Sequence, residues 1–423
     1  MADPPTGRVP LRAALATLTG PLRFLLLSSF LIPLGSFMVL PFMSVFLHER
    51  LGMGLGTVGV VLAVASLVQF SGGVLGGALT ERIGLRRTML WALAIRTAGF
   101  LGLLLALRWP PLAVGALVLT CAGAALYLPA NKGYLVHGVD EERRPAFLSA
   151  GNAALNAGMA LGPLIAGPFV LSSPGPVFLA STVLFLVVAA GHVRLPAAGE
   201  EAPRTPDPDA RLLTGVAVLP FAANALAFYL YFHFQHYLAV YAVERASSTF
   251  YSLVLLVCFL LVIVVQPVAS GAIARMSYPW ALGTGFAGLA AGLAVLAIGT
   301  RPALVAGGVL ITLGDIVLFL KNDLEALRRS PRSDAVVFGQ QRLAAGVGAG
   351  VSALVGGVLY DLTDRTGGTG WFWLAAAAQC LLLPPLLLVP LFRRTRRARH
   401  HPHHDDPEGT PQPHGEHGRI PGR

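Results

Sequence analysis

The chain has 423 residues, 55% of them hydrophobic and only 12% charged, with a mean hydropathy of +0.67. These values exclude an ordinary soluble enzyme and match a chain that lives in lipid. The formal charge of +10 does not point to nucleic acid, because the arginines are scattered between apolar runs or gathered in the tail, with no basic face interleaved with aromatic rings.

A helix of about 20 residues spans a hydrocarbon core about 30 Å thick, so apolar runs of that length are read as membrane helices. Residues 1–21 are polar and Pro-rich, lack the apolar centre of a cleaved signal, and are expected to be cytoplasmic, the first span itself directing insertion. Apolar runs follow at 22–47, 56–79, 88–107, 111–136, 146–171 and 175–193. Residues 194–211, containing "LPAAGEEAPRTPDPDAR", are rich in Pro and acidic residues and read as an exposed linker. Six more runs lie at 212–241, 250–274, 279–300, 302–327, 335–360 and 370–392, before a basic, His-rich tail, 393–423, that reads as disordered and cytoplasmic. The expected fold class is an all-α membrane protein of 12 transmembrane helices in two six-helix halves, 22–193 and 212–392.

Lys and Arg favour the cytoplasmic side in short loops. With both termini inside, the inner segments carry 24 of them and the outer loops five, Arg50, Arg108, Arg245, Arg301 and Arg365. Arg96 and Arg342 remain within spans. The alternation supports an even number of spans in the cell membrane.

The turn after the second run, "GGALTERIGLRR" at 76–87, concentrates charge. Gly77, Leu79, Glu81, Arg82, Gly84, Arg86 and Arg87 resemble the loop motif of the major facilitator superfamily, Gly-x-Leu-(x)-Asp-Arg-x-Gly-Arg-Arg, with Glu81 in place of Asp and Leu85 where Arg is common. Farther on, Gly158-x-x-x-Gly162-Pro163-x-x-Ala166-Gly167 is similar to the fifth-helix motif of its drug:proton antiporters, with Ala166 replacing one Gly. In the second half, "GAIARMSYPW" from 271 has lost the acid and most bases of the equivalent loop.

The resemblance implies the major facilitator fold and a gating role for Gly77, Glu81, Arg82, Gly84, Arg86 and Arg87. Glu81 would cap the start of the eleventh helix, and an Arg would meet Asp140, Glu141 or Glu142 at the end of the fourth. A carboxylate at a helix N-terminus contributes roughly 0.3 to 1 kcal/mol, so two or three such contacts would bias one access state. A solvated loop obeying charge bias is the plain alternative. Glycines spaced by four let a neighbouring backbone approach, and Pro163 weakens the local ladder; the family places this segment between the halves.

Charges within spans are costly and default to functional hypotheses. Asp315 lies mid-span in "ITLGDIVLFLKND", and the family's first, fourth, seventh and tenth helices line its cavity. Spacings of four and seven place Asp315, Phe319 and Asn322 on one face. Desolvation favours the protonated form of a carboxylate, so Asp315 is assigned proton coupling, with a structural ion pair as the alternative. The first helix has no acid, only Ser28, Ser29, Ser36 and Ser44. Arg96 is expected to be structural, partnered by Gln69 or Ser66 at matching depth, while Lys132 snorkels.

On the seventh run Asn224, Phe228, Tyr231 and Gln235 form a stripe suited to amphiphilic compounds. Tyr127, Asn131 and Tyr134 form another on the fourth, with Asn152 and Asn156 nearby; His233 and His236 fall to another side. Ordinary packing explains such stripes equally well. Cys121, Cys258 and Cys380 lack metal-ligand spacing and read as packed thiols.

No phosphate-binding loop, metal cluster or placed nucleophile points to catalysis, so no enzyme activity, cofactor or metal is expected. The expected activity is proton-coupled efflux of small amphiphilic organic compounds by alternating access. The expected partners are a small-molecule substrate, protons and the lipid bilayer, not nucleic acid, with the chain acting as a monomer. A proton-linked nutrient importer and a non-transporting membrane sensor remain alternatives.

Overall fold

The computed structural model describes residues 19–140, 144–196, 214–332, 334–366 and 368–400. The expected segments 1–18, most of the linker and the tail from 401 onward lie outside them. The described residues are helical and contain no strand. The helices are α1 (Gly20–Phe37), α2 (Leu55–Ser71), α3 (Gly73–Ile83), α4 (Leu85–Ala106), α5 (Leu112–Val136), α6 (Arg144–Ala166) and α7 (Pro174–Val193). They continue with α8 (Val218–Arg245), α9 (Ser248–Arg275), α10 (Tyr278–Leu296), α11 (Arg301–Arg329), α12 (Asp334–Arg365) and α13 (Gly370–His400).

Among the described residues, nine stretches are long and apolar enough to cross a membrane. The expected second, fifth and seventh spans are not among them. Leu55–Ser71 is short and apolar, whereas α6 and α8 carry Asn152, Asn156, Asn224, His233, Gln235 and His236 on otherwise apolar helices. A helix that presents polar groups to an internal space has less apolar character than one facing lipid alone.

Several expected boundaries move for local reasons. The first run, read as one helix to residue 47, is regular only to Phe37 and then winds irregularly through Leu40–Phe42, Met43–Val45 and Phe46–Arg50. Pro41 has no N–H to donate there, and Val39 leaves the helical region at φ −120 and ψ −54. The second run is interrupted at Gly72, whose close neighbour is Ala125 on α5. The seventh begins at Val218 rather than 212, after a turn at Gly215 with φ +68. At the other end, α13 continues to His400, so the first eight residues of the expected disordered tail are helical; Arg and Ala are strong helix formers.

Packing runs α1 on α6, α2 on α5 and α4 on both α5 and α7; then α8 on α11 and α12, α9 on α11, and α10 on α11 and α13. The extensive contacts joining earlier to later helices are α2 on α12 and α6 on α9. These two seams leave an internal space between them, and Asn131 of α5, Asn152 of α6, and Gln235 and His236 of α8 face it.

Candidate functional site

That space is a cavity of about 430 Å³, walled by α1, α2, α5, α6, α8 and α9, with Arg96 of α4 and Arg342 of α12. Phe70, Phe228, Tyr231 and Phe232 form an aromatic wall. Phe70 sets its edge against Phe228 and Phe232 at 5.7 and 5.5 Å between centroids. Ser29, Ser36, Gln69, Asn131, Gln235 and His236 supply polar groups.

One end of the cavity is closed by tightly packed backbone. A Cβ added to Gly59 of α2 would lie 2.4 Å from the Ala353 carbonyl of α12. Tyr237 Oη donates to that carbonyl at 2.6 Å, and Tyr251 Oη donates to Pro41 O at 3.3 Å. Toward the opposite end stand Lys132 and Arg342, both of which feel the carboxylate of Asp323.

Phe228, Tyr231 and Gln235 line the cavity as the spacing predicts, as do Tyr127 and Asn131. Asn224 does not. It is buried and donates Nδ2 to Gln341 O at 3.0 Å, because the long α8–α12 contact covers that part of the helix. Asn224→Ala is therefore expected to lower thermal stability by about 1 kcal/mol and leave substrate affinity unchanged, as checked by unfolding and binding on one preparation. On α5, Asn131 Nδ2 donates to Ser29 Oγ at 2.9 Å and Tyr127 Oη meets His192 Nε2 at 3.0 Å. Tyr134 leaves the stripe and donates to Pro196 O at 2.8 Å.

The expectation for the tenth span needs correction. None of Asp315, Phe319 and Asn322 lines the cavity. Phe319 stacks on Phe228 at 4.4 Å, and Asn322 Oδ1 accepts from Tyr278 Oη at 2.7 Å. Asp315 is 6% exposed and its side-chain partner is the Tyr231 hydroxyl. It therefore stands one residue behind the cavity wall.

Arg96 also departs from its expected place. Its guanidinium donates to Ser36 Oγ of α1 and lies 5.1 Å from the Phe185 ring of α7; neither Gln69 nor Ser66 is its partner. Ser66 instead faces His236, with Oγ 3.2 Å from Nε2. Arg96 and His236 both reach the cavity, while His233 sits behind, between Tyr229 O and Ser352 Oγ. Arg342, whose Cζ is 5.4 Å from the Phe70 ring, drew no role from the sequence. Its signal was the one that marked Arg96, a charge inside an apolar span.

The family model described as Major Facilitator Superfamily matches residues 25–320. The chain belongs to this superfamily. An uncharacterized MFS-type transporter of Mycobacterium tuberculosis is 32% identical over 182 residues, covering 43% of this chain and 41% of that protein. A multidrug resistance protein of Cronobacter sakazakii, MdtH, is 31% identical over 168 residues, 40% of this chain and 41% of that protein. The chain thus spans about two fifths of the length of these curated relatives. In fold, a crystal structure of a peptide transporter, POT, superposes with a TM-score of 0.73 at 15% identity, over 92% of this chain and 99% of that one. A nucleoside transporter, NupG, gives 0.71 at 13%, over 88% and 100%.

The superfamily loop motif falls on the turn from α3 to α4. Gly84 makes that turn at φ +84, a conformation that side chains disfavour, and its carbonyl accepts from Thr88 Oγ1 at 2.9 Å. Arg86 donates to Val193 O at the end of α7. The end of α7 offers such a carbonyl because the last turn of a helix leaves its C=O groups without intrahelical partners. Arg82 and Arg87 are exposed. Gly77 falls within α3; the Glu81 side chain, Glu141 and Glu142 lie outside the described residues.

The stretch from Gly158 to Gly167, which resembles the antiporters' fifth-helix motif, runs along α6 and faces two partners. A Cβ on Gly158 would be 2.3 Å from Phe30 O, and one on Gly162 2.6 Å from Leu34 O, both on α1. Those glycines therefore serve packing beside α1 rather than against the later helices. Gly167 does face them, with a Cβ there 2.1 Å from Ser252 Oγ of α9. Pro163 lies within α6, and its carbonyl accepts from Gly167 N at 2.7 Å. Gly162→Val is expected to destabilise by about 1–3 kcal/mol or more, read as a lowered midpoint in thermal unfolding; an unchanged midpoint would show that α1 yields freely.

Proposed function

We propose that this transporter exports small amphiphilic organic compounds in exchange for protons, as a monomer in the plasma membrane with both termini cytoplasmic. Residues 22–193 and 212–392 act as two six-helix halves that rock about the cavity. The observation that carries the reading is the cavity itself. Its volume of about 430 Å³ suits a drug-sized compound, and its walls come from helices on both sides of the α2–α12 and α6–α9 seams. Aromatic rings with a few amides and hydroxyls favour amphiphiles over sugars, which need more hydrogen-bonding groups.

In this reading the end closed at Gly59 faces outward and the end near Lys132 faces the cytoplasm. Phe228, Tyr231, Gln235, Tyr127 and Asn131 contact the substrate, and Asp315 binds the coupling proton behind Tyr231. The turn containing Glu81, Arg82, Gly84, Arg86 and Arg87 gates the inner side. The relative named as a multidrug resistance protein supports export of foreign compounds.

Counterflow tests the reading. Proteoliposomes preloaded with an unlabelled amphiphile are diluted into the same compound carrying a trace of label. Transient accumulation of label above equilibrium is expected. Saturable binding without accumulation, across a panel that includes planar aromatic and aliphatic amphiphiles, would contradict it and leave a sensor.

A further inference from the structure

A guanidinium inside a membrane bundle is expected to be held by a carboxylate or to face a ligand, because leaving it unpaired costs several kcal/mol. Arg96 has neither among the described protein groups. It is 6% exposed, its one hydrogen bond goes to the hydroxyl of Ser36, and its Nε is buried with no partner. The ion pairs of the described residues involve Arg245, Arg328, Arg329 and Arg365, and none involves Arg96. The ionisable side chains that act on it are Cys121 and Tyr127, neither of them a carboxylate.

The rest of the cavity deepens the imbalance. Its described lining includes Arg96, Lys132 and Arg342 but no Asp or Glu. Lys132 and Arg342 share Asp323, whereas Arg96 has the Phe185 ring and the Ser36 hydroxyl beside it but no carboxylate. A lipophilic cation entering this space meets a like charge in a medium of low polarity, which repels it strongly. An anion meets a planar fork of donors that matches two oxygens.

We infer that the transported compound is an amphiphilic organic anion whose carboxylate or similar oxyanion pairs with Arg96 while its apolar body lies against Phe70, Phe228 and Phe232. The inference rests on the cavity being the transport site. It narrows the amphiphiles of the proposed function to one charge class, and it makes Arg96 a specificity residue where depth and sequence alone suggested a structural one.

The test is thermal stabilisation of the purified full chain by matched probes: a panel of aromatic carboxylates beginning with naphthalene-2-carboxylate, each beside its neutral amide and its aminomethyl cation. The carboxylates are expected to stabilise saturably and the amides and cations at least about tenfold more weakly. Arg96→Gln is expected to lose the response and Arg96→Lys to keep a weakened one, which separates lost charge from lost folding. Arg365→Gln, at an exposed pair with Asp361, is expected to respond like the parent. Stabilisation by the cations at equal strength, by none of the carboxylates, or by carboxylates regardless of Arg96→Gln would overturn the inference. Equal stabilisation by chloride or inorganic phosphate would do so too, assigning Arg96 a free-ion site. Anion binding lost in Arg96→Gln, yet without counterflow, upholds the pairing of the anion with Arg96 and removes the export reading on which its transport rests. Counterflow of cations alone does the reverse.

Discussion

Gly59→Leu is expected to abolish counterflow while leaving the helices folded. In this structure α2 and α12 touch backbone to backbone at that position. A Cβ on Gly59 would lie 2.4 Å from Ala353 O and 3.1 Å from both Gly357 Cα and Tyr237 Oη. A carbonyl within a helix cannot swing aside as a flexible side chain does, so the overlap costs about 1–3 kcal/mol or more. That cost falls only on the state in which this end is closed. In the proposed cycle the protein then accumulates in the state open at this end, a shift of roughly 5- to 150-fold for that energy. Labelling of a cysteine placed at Leu55 is expected to rise in step with the loss of transport. Gly56→Leu serves as the control, because no atom lies within 4 Å of a Cβ there. Full transport by Gly59→Leu would mean that α2 and α12 never need to meet.

The second large effect is expected at Asp315. Asparagine keeps the size of aspartate but cannot carry the proton, so Asp315→Asn is expected to retain exchange of substrate for substrate and lose uphill transport driven by a pH gradient. The residue is buried behind the cavity wall, with the Tyr231 hydroxyl as its side-chain partner, while the Tyr231 ring also lines the cavity. In the proposed cycle, substrate and proton meet at this one tyrosine. Tyr231→Phe removes the hydroxyl and keeps the ring, and is expected to weaken coupling about tenfold, the worth of one lost hydrogen bond. Uphill transport by Asp315→Asn at the parental rate would remove the carboxylate from the coupling path.

The helices were legible because apolar runs of spanning length leave little else for the chain to form. Their irregularities depended on particular residues whose effects need neighbours to decide. Pro41 and Gly72 were visible, but whether a run bends or simply continues depends on what packs against it, here Ala125 in the case of Gly72. The site was legible by depth and less so by direction. Spacing placed Phe228, Tyr231 and Gln235 on one stripe correctly, yet Asn224 at the same spacing turns out to be covered by α12. Likewise Asp315, Phe319 and Asn322 share a tilt but sit behind α8 and α10, since the angle of a helix about its own axis is set by its partners. Arg96 was matched to residues at its own depth on the second span, but its hydrogen bond goes to the first. His236 of α8 and Arg342 of α12 became candidate site residues only once the fold brought them to Ser66 and Phe70 of α2.

In the proposed cycle, entry of a proton drives an amphiphile out through this cavity. Everted membrane vesicles energised by respiration test it most directly, with a pH-sensitive dye reporting the acid interior while amphiphilic compounds are added one at a time. At least one compound is expected to dissipate the gradient in vesicles containing the protein and not in vesicles lacking it or carrying Asp315→Asn. Dissipation that is the same with and without the protein, for every compound that shows counterflow, would contradict it.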